Sequence, residues 1–155
     1  MTAWREIVAS SLDWEQAHAS LDHAIEGLPA ELRGRRPDHF PHSAWELLDH
    51  IRRTQHDLLE FMTNANYEEP KWPDDYWPSS PAPEDGAAWQ KAIDDIHRER
   101  KAIAAFATDE SHDLTQKIPH GNGQTYLRTI IVAVDHAAYH VGQIVAVRRL
   151  LGVWK

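Results

Sequence analysis

Thr129-Ile130-Ile131-Val132-Ala133-Val134-Asp135-His136-Ala137-Ala138-Tyr139-His140-Val141-Gly142-Gln143-Ile144-Val145-Ala146-Val147 is the most apolar run in the chain, and its reading decides the fold. Its length is about that of one bilayer span. Asp135, His136, His140 and Gln143 interrupt it, and such groups are costly in hydrocarbon. No other segment is comparably apolar. The run is therefore read as the interior helix of a soluble bundle, with no membrane partner.

That helix is expected from about Thr125 to Leu151. Gly152 ends it, and Arg148 and Arg149 suit the negative end of its dipole. Three amphipathic helices are expected before it. The first spans Thr2–Glu26, with Thr2 as N-cap and Trp4, Ile7, Val8, Leu12, Leu21 and Ile25 near helical spacing; Gly27 and Pro29 stop it. Ser43-Ala44-Trp45-Glu46 matches the capping box, in which the Ser and Glu side chains satisfy free backbone N–H groups reciprocally. It opens the second helix, which runs to about Asn64 with Leu47, Ile51, Thr54, Leu58 and Phe61 on one face. The third spans Glu84–Ala107 and carries Trp89, Ile93, Ile96, Ile103 and Phe106.

The linkers are long. Pro29–His42 holds Pro37, Pro41 and the basic residues Arg33, Arg35 and Arg36. Tyr67–Pro83 sets Pro70, Pro73, Pro78, Pro81 and Pro83 among Tyr67, Trp72, Tyr76 and Trp77, so no long helix or central strand survives there. It reads as a surface loop anchored by its rings, with a lid over a site as the alternative. Asn122-Gly123 marks a tight turn, which suggests a short hairpin around Thr115–Thr125. The sum is an all-α four-helix bundle, one domain over residues 1–155, with long connections that leave a crossover topology open.

Composition narrows the chemistry. The 155 residues include eleven histidines and no cysteine. Any metal must therefore be held by nitrogen and oxygen, and a thiolate zinc site, an iron–sulfur cluster and a cysteine nucleophile are excluded. A net charge of −8 argues against nucleic acid as a partner, because that affinity rests on Lys and Arg replacing counterions. The N-terminus lacks the pattern of a secretory leader, and the expected compartment is the cytoplasm.

His136 and His140 stand at i and i+4, with Cβ atoms about 6 Å apart, close enough for both imidazoles to meet one ion. The pair alone is a weak pattern and fits two hydrogen-bonded core or rim histidines better than a metal site. His50 shares the inward face of the second helix, and an inward histidine needs partners for its ring nitrogens. Three histidines from two facing helices would leave a coordination position open, as catalytic sites do. A His-Glu-x-x-His motif is absent, since Ala137 stands at the Glu position. A di-iron bundle needs two Glu-x-x-His motifs, and only Glu15-Gln16-Ala17-His18 fits. Bis-histidine haem ligation stays open, although i and i+4 neighbours reach one side of an ion.

Ser43-Ala44-Trp45-Glu46-Leu47-Leu48-Asp49-His50-Ile51 and Asp135-His136-Ala137-Ala138-Tyr139-His140-Val141-Gly142-Gln143-Ile144 resemble the two signature segments of the DinB-like superfamily, damage-inducible, YfiT-like four-helix bundles. The resemblance covers essentially the whole chain. It implies an up-down-down-up bundle, a homodimer, and one divalent ion, zinc or nickel, on His50, His136 and His140. It also implies, for some members, transfer or isomerisation with low-molecular-weight thiols such as bacillithiol or mycothiol.

Two functional classes follow. One is an enzyme, a metal-dependent hydrolase or a low-molecular-weight-thiol S-transferase acting on a small molecule; a metal makes a water or a thiol nucleophilic near neutral pH. The other is a non-catalytic bundle in which the ion stabilises the fold or a dimer. Candidates for supporting contacts are Gln143, on the histidine face, which reads equally as a core-rim amide; Glu46, one turn before His50, which its capping-box role already explains; and His18 near the inward face of the first helix, which reads first as an ordinary polar residue. Tyr139 is expected to pack away from the pair. Arg33, Arg35 and Arg36 are read as solvated charge, and His39, His42, His112 and His120 as loop residues without ligand spacing.

Overall fold

The computed structural model describes residues 3–154, so the expected cap at Thr2 lies outside the described residues. Five α-helices form among the described residues: α1 (Ala3–Ser10), α2 (Leu21–Ile25), α3 (Ala44–Thr63), α4 (Gly86–Thr108) and α5 (Tyr126–Leu150). No strand occurs among the described residues. The hairpin is reduced to a single antiparallel bridge between Lys117 and Thr125.

The first expected helix is broken. A 3-10 turn over Ser11–Asp13 follows α1, and the chain is irregular until Ser20 accepts from the His23 N–H and opens α2. Between Leu12 and Leu21 no large residue is buried, and Trp14 is 43 % exposed. Without apolar burial a helical segment of that length has little to hold it. The stripe of α1 is also not the expected one. Trp4 and Ile7 are exposed, and the buried side chain is Arg5. Its guanidinium donates to the carbonyls of Ala107, Asp109 and His112, and so satisfies the free end of α4.

The three long helices all open on side-chain caps. Ser43 and Glu46 form the complete capping box of α3. Asp85 caps α4 through the Ala88 N–H, and Thr125 caps α5 through the Arg128 N–H. Gly152, at φ +76°, carries the chain out of α5, and the Val153 N–H returns to the Arg148 carbonyl at 2.9 Å. Arg148 does more than suit the dipole. It is buried and donates to the carbonyls of Ala24, Glu26 and Val153, which ties the end of α2 to the end of α5.

Helix α3 packs against α5 on one side and α4 on the other; α1 lies on α4, and α2 on α5. The core falls into two apolar clusters. One gathers Leu21, Leu47, Leu48, Ile51, Trp89, Ile96, Val141, Ile144 and Val147. The other gathers Leu12, Met62, Ile103, Leu114, Ile118, Ile130 and Ala133. Between them in sequence along the helices lie polar residues. The buried Gln55 donates to the Ile96 carbonyl, and Arg100 donates to Gln55 and Asp13. His50 and His136 stand near this transition on α3 and α5. Helix α5 is long and apolar enough to cross a membrane by length and composition alone, and 39 % of its most apolar window is buried in the protein.

Candidate metal centre

The α3–α5 contact brings His50, His136 and His140 together. One ring nitrogen from each lies within 4.8 Å of the others. The Nε2 atoms of His50 and His136 are 3.0 Å apart. Two imidazoles bound to one tetrahedral ion at about 2.0–2.1 Å hold their nitrogens about 3.3 Å apart, so this spacing suits a shared ion. The group contains no carboxylate. Three neutral nitrogens suit a borderline divalent cation and leave its fourth position without a protein ligand.

Two rings are oriented from behind. The Nδ1–H of His50 donates to the Tyr76 carbonyl at 2.8 Å. A carbonyl only accepts, so the proton sits on Nδ1 and the lone pair on Nε2. Gln143 is one turn beyond His140, and its Oε1 accepts from the His140 Nδ1–H at 2.6 Å. This too leaves Nε2 free. His136 has no such support, and without an ion its Nε2–H faces the lone pair of His50. Such outer contacts fix tautomer and orientation in metal sites.

Burial keeps all three rings neutral. It pushes His50 down to about 4 from 6.5 and His136 down to about 3, and the neighbouring imidazoles add to the effect. His140 is lowered in the same way. His50 and His140 are 3 % and 7 % exposed, and His136 is half-buried. Neutral imidazoles in this pH range are ready to ligate without first losing a proton.

The proline-rich loop covers the site. Trp77 stacks on His50 with centroids 3.9 Å apart and an interplanar angle of 3°, and on His42 at 4.2 Å and 12°. Tyr76 is buried, and its hydroxyl and that of Tyr67 both donate to Asp57, at 2.8 and 2.7 Å. The Arg53 guanidinium holds the Asp75 carbonyl at 3.1 Å. The loop is thus anchored by its rings and also roofs the cluster.

The remaining expected residues fall as follows. Glu46 does not reach His50; its carboxylate takes the Ser43 N–H and the Arg36 guanidinium, and the Tyr76 carbonyl fills the place expected for it. His18 is exposed, with Nδ1 on the Ala19 carbonyl, and takes no part in the cluster. It lies beside Ala137, Ala138 and Val141, on a different face of α5 from His136 and His140, because α2 begins only after the break. Tyr139 is 65 % exposed rather than packed, with its ring centroid 5.0 Å from that of His140 in an edge-to-face arrangement. Of the three arginines, Arg36 is paired with Glu46 and Arg33 lies 4.7 Å over the Trp89 ring. His42 joins the site by stacking, which no ligand spacing announces.

The family model described as the DinB superfamily matches residues 13–144. The match spans α2 to most of α5 and includes all three histidines. Comparison with curated proteins and with solved structures gave no match. The chain belongs to the DinB superfamily.

Proposed function

We propose that this member of the DinB superfamily binds one divalent metal ion, zinc or nickel, on His50, His136 and His140. The observation that carries the reading is the pair of outer contacts, Tyr76 carbonyl to His50 and Gln143 to His140, which leave Nε2 of both rings free toward the same space. His136 would complete the set by moving its proton from Nε2 to Nδ1, so that the ion replaces the shared N–H between the two rings. A cation bound there supplies a Lewis acid that lowers the pKa of a water or a thiol.

We further propose a metal-dependent enzyme acting in the cytoplasm, a hydrolase or a low-molecular-weight-thiol S-transferase, on a four-helix bundle of up-down-down-up order in which α1 and α2 count as one interrupted helix. With no cysteine in the chain, the thiol arrives as substrate. Trp77 and Tyr139 flank the histidines and would shield a reacting pair from water. The test is turnover of esters, and of electrophiles with small thiols, by chelator-treated protein before and after zinc or nickel is returned. Metal-dependent turnover that His136→Ala abolishes while the fold persists supports the enzyme.

The second reading, a non-catalytic ion that stabilises the fold, has its own support in the closure of the site: Trp77 stacks flat on His50, and two of the three rings are almost fully buried. It wins if metal removal lowers the melting temperature sharply and no substrate is turned over.

A further inference from the structure

Helix α3 carries an orphan hydroxyl one turn after His50. The Oγ1 of Thr54 is buried and has no hydrogen-bond partner. Among the described residues two other buried side-chain atoms share that state, Glu99 Oε2 and Arg148 Nε. Both belong to groups held through their other atoms: Glu99 Oε1 pairs with His56, and Arg148 donates to three carbonyls. Thr54 has only the one polar side-chain atom. The other threonines within the described helices behave differently. Thr63, Thr108 and Thr129 each donate to the carbonyl one turn earlier, at 2.8, 3.0 and 3.0 Å, the usual resort of a threonine inside a helix. For Thr54 that carbonyl belongs to His50, and the hydroxyl does not take it.

The packing of the helices sets this hydroxyl beside the histidines. The two core clusters make α3 and α5 antiparallel: Leu47 and Ile51 gather with Val141, Ile144 and Val147, and Met62 gathers with Ile130 and Ala133. Thr54 is therefore level with the turn of α5 that leads into His136. Four residues of helix leave it about 40° around α3 from His50, on the side that meets α5. A buried hydroxyl without a partner is destabilising, and in a folded protein it marks a water or ligand that belongs there. The three imidazoles turn lone pairs toward an ion when they ligate and cannot donate, so an electron-rich atom bound among them needs its donor from elsewhere. We propose that the Thr54 hydroxyl is a hydrogen-bond donor to the substrate atom held beside the three histidines, an anionic oxygen or sulfur. The inference rests on the metal-binding reading above. It adds a residue that selects for a small, charged acceptor.

The test uses the full chain, with azide as the anionic probe. Thr54→Val keeps the branched shape and removes the hydroxyl, and Thr54→Ser keeps the hydroxyl. In chelator, Thr54→Val should melt no lower than wild type, because the group it loses has no partner in the protein. Each protein is then loaded with cobalt, titrated with azide and followed by visible absorption. Thr54→Val should bind azide about tenfold or more weakly than wild type, the cost of one hydrogen bond to a charged group. Thr54→Ser should stay within about threefold of wild type, since it retains the donor. A Thr54→Val variant that binds azide as tightly as wild type overturns the proposal. So does a Thr54→Ser variant as weak as Thr54→Val, or a metal-free Thr54→Val that melts clearly below wild type, which would give the hydroxyl a protein partner. A wild type that takes up no cobalt overturns the metal-binding reading itself and this inference with it, whereas a loaded wild type matched by Thr54→Val overturns the inference alone.

Discussion

Acid should unfold the metal-free protein through its own histidine cluster. His50 and His136 are held at about 4 and about 3, below the ordinary 6.5, chiefly by burial. The folded chain therefore binds fewer protons than the unfolded chain in mildly acid solution. The stability tied to these groups is complete above about pH 6.5 and drains as pH falls toward 4 and then 3. Two such groups cost at most about 2.7 kcal/mol per pH unit. His136 is only half-buried and the two rings are coupled, so about half of that is taken as surviving solvent screening. Between pH 6.5 and 4.5 the loss comes to about 3 kcal/mol, or about 6–12 °C in melting temperature for a chain of this size. Circular dichroism melts in chelator would measure it, alongside His136→Gln. Carboxylates titrate alike in both proteins, so the difference in slope isolates the cluster. The variant should lose about half of the histidine-linked slope. Equal slopes in the two proteins would refute the buried, neutral cluster.

Other outcomes follow from single contacts. Trp77→Ala removes the ring between His42 and His50; it should cost about 2 kcal/mol, as partly buried aromatics do, and raise the His50 titration midpoint in an NMR titration of metal-free protein. An unchanged midpoint would mean that the loop does not cover His50. Arg148→Met keeps the volume but strips the donor from the Ala24, Glu26 and Val153 carbonyls, and should lose about 2–4 kcal/mol in urea unfolding. Gly34→Ala would bring a Cβ within 2.3 Å of the Ala82 Cβ and 2.7 Å of its Cα. It should cost about 1–3 kcal/mol by the same assay, and a neutral result would show that the linker yields freely.

Much of this was legible in the sequence because it is local. The Ser43–Glu46 box sits within one turn, and the stripes of α3 and α4 and the His136–His140 spacing need only helical period. What was hidden depends on distant chain. The turn at Ser11–Asp13 arises because residues 13–20 find no core to face. Nothing in the sequence singles out Arg5, and Arg148 reads only as suited to the helix dipole, but carbonyls about a hundred or more residues away draw both inside. Glu46 has the right spacing to support His50, yet Arg36 and Ser43 already occupy its oxygens. The support comes from a backbone carbonyl at Tyr76, and a backbone carbonyl leaves no mark in composition. His42 and Trp77 meet His50 through loops, where stacking has no sequence period.

The central claim is that the three histidines hold one metal ion. The direct measurement is metal content by mass spectrometry of untagged protein purified without chelator, beside His50→Ala, His136→Ala and His140→Ala, each first checked for helical content. The account predicts about one zinc or nickel per wild-type chain and loss of it in each variant. A wild type without stoichiometric metal, or variants that retain it, would contradict the account.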